Sequence, residues 1–140
     1  MMRRVLVALA LVAACARAPS ESPPASRAAS TEVRSNGDGY VVRYEPTPDP
    51  IPRGELFSLD VTVFDANDMA SPAKGVFLAV DARMPEHQHG MNVEPRVTPT
   101  GDGHFTVTGM ELHMAGRWEL TFDVTRDGLT ERAQIEKILQ

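Results

Sequence analysis

From about Gly37 to Gln140 the chain alternates between apolar and polar positions. Trp118, Leu120, Phe122 and Val124 fall on one side of an extended segment, and Arg117, Glu119, Thr121 and Asp123 on the other. A β-strand sends successive side chains to opposite faces, so this period of two predicts a strand with one buried face. The pattern recurs in Phe57, Leu59, Val61 and Val63, in Val76, Leu78 and Val80, and in Phe105 and Val107. Tyr40, Val42 and Tyr44 suggest a first strand, and Arg132 to Leu139 a last one. Pro46, Pro48, Pro50 and Pro52 separate the first two runs, while Gly101-Asp102-Gly103, Ala115-Gly116 and Asp127-Gly128 are turn signals. No stretch combines a helical period with capping residues. Six or seven short strands in about 100 residues predict an all-β fold, an immunoglobulin-like antiparallel β-sandwich of about seven strands.

Ahead of this domain the composition changes twice. Met1-Met2-Arg3-Arg4 is basic and Val5 to Ala14 is an unbroken apolar run. Ten apolar residues are too few to span a bilayer as a stable helix, so residues 1–14 read as a signal peptide. The small residues before Cys15 resemble the lipobox of bacterial lipoproteins, which implies cleavage there and lipid on the cysteine sulfur. Ala16 carries no acidic retention signal, so the expected location is the outer membrane, facing the periplasm. Residues 15–35 are rich in Ala, Ser and Pro and are expected to be a tether, leaving residues 36–140 as the folded domain.

The formal net charge is −5. An acidic chain offers no electrostatic footprint for nucleic acid, and it is not drawn to anionic headgroups. Membrane attachment therefore falls to the lipid on Cys15. With the single cysteine acylated, no thiol remains for disulfides, zinc–thiolate sites or nucleophilic chemistry. Gly-x-Ser-x-Gly, phosphate-loop and His-Glu-x-x-His motifs are absent, and the chain is not expected to be an enzyme.

What the sequence does concentrate is soft and borderline metal ligands. All four histidines and four of the seven methionines lie between Met84 and Met114. The densest part reads Met84-Pro85-Glu86-His87-Gln88-His89-Gly90-Met91. In an extended segment His87, His89 and Met91 would project from one side, so two imidazoles and a thioether could reach one ion. Imidazole suits Cu(II) and thioether suits Cu(I), which puts copper first. Zinc comes second and needs His87, His89 and a third ligand such as His104, His113 or Glu86. Met84, Met110 and Met114 are equally read as core-filling side chains, His104 as a surface residue beside a turn, and His113 as a residue that fixes a loop.

Three segments carry a family resemblance: Asp81-Ala82-Arg83-Met84-Pro85-Glu86-His87-Gln88-His89-Gly90-Met91, Gly101-Asp102-Gly103-His104-Phe105, and Met114-Ala115-Gly116-Arg117-Trp118-Glu119-Leu120. Together they resemble the YtkA-like/FixH-like domains of the bacterial envelope, over roughly Tyr40 to Leu139. The resemblance implies an immunoglobulin-like sandwich similar to the copper carriers of the CopC type, and some family members are associated with copper supply to respiratory oxidases. This chain departs from both relatives. It has no histidine at the start of the mature chain, and a lipid replaces the transmembrane helix of FixH. The resulting expectation is a lipid-anchored envelope protein that binds or delivers copper through His87, His89, Met91 and His113. Met84, His104 and Met114 are further candidates, and a metal-receiving envelope protein would be the partner. The alternative is a metal-free accessory sandwich that mediates protein contacts.

Overall fold

The computed structural model describes residues 31–140. Ten strands follow one another: β1 (Thr31–Arg34), β2 (Tyr40–Thr47), β3 (Leu56–Asp65), β4 (Asp68–Pro72), β5 (Phe77–Met84), β6 (His89–Gly90), β7 (Arg96–Gly101), β8 (His104–Glu111), β9 (Gly116–Arg126) and β10 (Leu129–Leu139). One sheet has the order β1-β2-β3-β8-β7, with β4 added to β3, and the other the order β10-β9-β5-β6. Every strand pairing is antiparallel. No α-helix occurs among the described residues. The fold is the expected all-β sandwich.

The alternation read from the sequence is what builds it. Trp118, Leu120, Phe122 and Val124 of β9 are all fully buried, as are Leu59 and Val63 of β3, Val107 of β8 and Tyr44 of β2. Their inward faces meet in one apolar core between the sheets. The Asp127–Gly128 turn has φ of 52° and 78°, the left-handed pair that a two-residue hairpin needs, and it launches β10 along the whole of β9.

Four strands lie outside the alternation pattern, β1 among them. β4 and β7 run along sheet margins with mostly exposed residues, and β6 is only two residues long. The expected tether also ends earlier than Ser35. Thr31 to Arg34 pair with Val41 to Tyr44, and Ser35 is buried with its hydroxyl oxygen accepting the Tyr40 amide at 3.0 Å. Val33 packs against the core, a contact too sparse to register as a periodic run. The proposed signal peptide, Cys15 and most of the tether lie outside the described residues.

Strand directions sort the connections into two ends. Tight turns join β1 to β2, β3 to β4, β7 to β8 and β9 to β10 at one end. The longer links 48–55, 85–95 and 112–115 gather at the other. Most of the predicted ligands sit there.

Candidate metal centre

β5 stays extended as far as Met84, and Pro85 then starts a single 3-10 turn over Pro85–His87. Gln88 reverses the chain with φ 56° and ψ 34°. The returning residues form β6, where His89 pairs with Met84 and Gly90 with Arg83, and the Met91 amide donates to the Ala82 carbonyl at 3.2 Å. The segment is therefore a turn followed by a short strand, not the continuous extended run that the i, i+2, i+4 spacing assumed. Directly paired residues in an antiparallel ladder share a face. His89 therefore shares the inner side of the sheet with Met84, and Met91 shares it with Ala82. His87, ahead of the reversal, stays on the exposed rim.

The partner for His89 comes from 24 positions further on in sequence. β8 ends at Glu111, Leu112 is buried and its carbonyl accepts the Gly54 amide at 2.9 Å, and His113 follows. The indole of the buried Trp118 donates to the Met114 carbonyl at 3.0 Å, which closes the turn between β8 and β9. In this setting the His113 ring stacks on His89, with centres 5.3 Å apart and planes at 28°. Trp118 lies edge-on to both, at 5.4 Å from His113 and 6.1 Å from His89. The His87 ring centre is 5.8 Å from that of His89.

These separations bear on chemistry. Two imidazoles sharing one ion, with bonds of about 2.0–2.1 Å and ring nitrogens about 1.1 Å from the ring centre, hold their centres no more than roughly 6.5 Å apart. Both pairs fall inside that limit. The His89 Nδ1 lies 3.0 Å from the Gly90 carbonyl, a contact that orients the ring when this nitrogen carries the proton and leaves Nε2 as the lone-pair nitrogen. His113 Nδ1 is buried without a hydrogen-bond partner. Leaving such an atom unpaired costs about 1–3 kcal/mol, a cost that coordination to an ion would offset. Among the described residues no group of three or more His, Cys, Asp or Glu side chains is gathered closely enough to hold a metal as it stands. The arrangement is two imidazole pairs sharing His89, with the Met91 thioether on the same side of the sheet as His89.

The remaining candidates separate. Met84 is core: its relative exposure is 1 %, and its terminal methyl would lie 2.8 Å from a Cβ placed on Gly116. Met110 is fully buried in the same core. Met114 turns outward at 37 % exposure, because the chain leaves β8 before the alternation can carry it inward. His104 is removed from the set. It begins β8 while His113 follows its end, and the eight residues between at about 3.3 Å each place them roughly 25 Å apart. Its Nδ1 lies 3.1 Å from the Thr62 hydroxyl. Glu86 is engaged elsewhere, with Arg117 Nε at 3.3 Å. The hydrogen bonds that Arg117 donates to Glu136, and then to Glu86, hold its guanidinium above its usual range.

Two features were missed by sequence reasoning. One is the role of Trp118 as a wall of the histidine cluster as well as a core residue. The other is a cleft of about 490 Å³ beside the loop, lined by Arg83, Met84, Pro85, Gln88 and His89 among others. Neither has a local sequence signal, since both depend on which strands lie side by side. The class defined here is an antiparallel β-sandwich with a half-buried imidazole pair at one end. No model of a known protein family, no curated protein and no solved structure matches the chain.

Proposed function

We propose that this protein is a lipid-anchored envelope carrier that binds one copper ion at the histidine end of its sandwich and passes it to another envelope protein. His89 and His113 supply the imidazoles, Met91 offers a partly buried thioether on the same side of the sheet as His89, and His87 stands at the rim. The observation that carries this reading is the stacked His89–His113 pair, in which one ring nitrogen is buried and unpartnered. Two imidazoles and a soft sulfur suit Cu(I) better than zinc, which ordinarily takes four ligands in a structural site. With few protein ligands the ion stays exchangeable, as transfer rather than catalysis requires. The resemblance to YtkA-like domains favours the same reading, and no enzymatic role is proposed.

A second reading is favoured by the ring contacts themselves. His89, His113 and Trp118 pack as an aromatic cluster that ties the 85–91 segment to the β8–β9 turn, which is what a metal-free accessory module would need. Anaerobic titration with Cu(I), repeated with Cu(II) and Zn(II), separates the two. The carrier reading expects one Cu(I) per chain and an affinity at least about tenfold lower in a His89→Ala/His113→Ala variant, a loss of about 1.4 kcal/mol. Equal affinity in both proteins sinks it. A lower melting temperature of the variant in metal-free buffer, with no Cu(I) bound by either protein, would establish the accessory module.

A further inference from the structure

The three imidazoles are not equivalent. His87 is exposed on a one-turn helix, whereas His89 is half-buried and His113 holds a buried, unpartnered nitrogen against Trp118. His89 belongs to both pairs, at 5.8 Å from His87 and 5.3 Å from His113. We infer that the site has two successive positions: an outer His87–His89 pair that captures and releases the ion, and an inner His89–His113 pair that retains it. The inference rests on the metal-binding reading above and deepens it by assigning the direction of passage.

The step is a ligand exchange. Cu(I) held by His87 and His89 gains a bond to the lone-pair nitrogen of His113 as its bond to His87 breaks, and release runs the same path backwards. All three rings bind as neutral imidazoles, so no electron moves, the copper stays Cu(I), and no proton has to be exchanged between rings. His89 keeps hold of the ion throughout, which spares it a bare intermediate. The backbone ladder fixes His89 opposite Met84, while His87 sits beyond it in the turn with its side chain exposed.

A ligand that touches the ion only in transit changes the rates of arrival and departure together and leaves the equilibrium unchanged. That gives a test on the purified full-length protein, using anaerobic Cu(I) alone as the probe. Trp118 is the only tryptophan and lies beside both inner rings, so its emission reports arrival at the inner position in stopped flow. His87→Ala is expected to slow both loading and release to a Cu(I) chelator by about tenfold, with affinity within about threefold of the unaltered protein. His113→Ala, or His113→Gln if the alanine variant does not fold, is expected to lower affinity by about tenfold or more. It should at the same time keep the initial rate of Cu(I) uptake from a chelator.

An equal loss of affinity in the His87 and His113 variants would mean one composite site and would overturn the inference while leaving the metal reading intact. Unchanged kinetics in His87→Ala would overturn it too. Failure of the unaltered protein to bind Cu(I) at all would overturn the metal reading itself, and this inference with it.

Discussion

At the scale of single residues, the histidine end depends on side chains that bind nothing. Trp118 fills the core and also clamps the turn that presents His113, through its bond to the Met114 carbonyl. Gly116 is a second such residue. Its φ is +121°, and a Cβ there would meet the Met84 methyl at 2.8 Å. An L residue is strained at that angle, although the methyl is a flexible end that can give way. Gly116→Ala is therefore expected to destabilise the fold by about 1–3 kcal/mol, seen as a lower urea midpoint at unchanged slope. A midpoint equal to that of the unaltered protein would show that Met84 and the turn can adjust without cost.

At the scale of elements, the sandwich is closed on one side by the β1–β2 turn docking on the β9–β10 hairpin. The Asn36 amide donates to the Arg132 carbonyl at 2.8 Å, and the Asn36 side-chain oxygen accepts the Arg132 amide at 3.0 Å. Glu131 reaches into the same turn, accepting from the Ser35 hydroxyl at 2.5 Å and the Gly39 amide at 2.9 Å. Gly37 and Gly39 leave room for its carboxylate, which a Cβ at either position would meet at 2.5 Å. These donors, Ser35 foremost and then Gly39, hold the Glu131 carboxyl below its ordinary value of 4.5. A lowered folded-state value means that the ionised group stabilises the fold above the ordinary value, and that this contribution fades as pH falls through the lowered one. Glu131→Gln is accordingly expected to melt below the unaltered protein at neutral pH, with the gap narrowing in acid. Melting curves taken between about pH 6 and pH 3 span that window. A gap that stays constant with pH would show that shape, and not charge, is what Glu131 supplies.

At the scale of the whole molecule, the tight turns lie at one end and the longer connections, with the histidine cluster, at the other. Among the described residues no helix is long and apolar enough to cross a membrane. The proposed attachment, the lipid on Cys15, lies outside these residues. Expression of Cys15→Ser is expected to move the protein from the detergent phase to the aqueous phase in a phase-separation assay, with Cu(I) affinity unchanged because the proposed ligands His87, His89, Met91 and His113 all lie far along the chain from residue 15. Recovery of the variant in the detergent phase would count against a lipid on this cysteine. The alternation of residues 40–44, 57–63, 105–107 and 118–124 made the class of fold legible, because a period of two and a buried face are properties of a local segment. Strand β6 was not legible, since two residues carry no period, and neither was the departure of Met114 from the face of Met110 and Leu112.

The sequence by itself determined that this is an all-β sandwich, which faces of its main strands are buried, where its sharp turns fall, and that its soft ligands concentrate in one stretch of the chain. Tertiary structure alone decided which of those ligands meet. β5 lies beside β9, and the turn that precedes β9 carries His113, so that residue reaches His89 across 24 positions of sequence while His104, closer to His89 along the chain, is taken to the far end of β8. The same register sends Met84 into the core and leaves His87 on the rim. The physical reason is that local periodicity fixes the face a side chain takes on its own strand, whereas the meeting of two side chains depends on strand order and register, which are settled by the packing of the whole core.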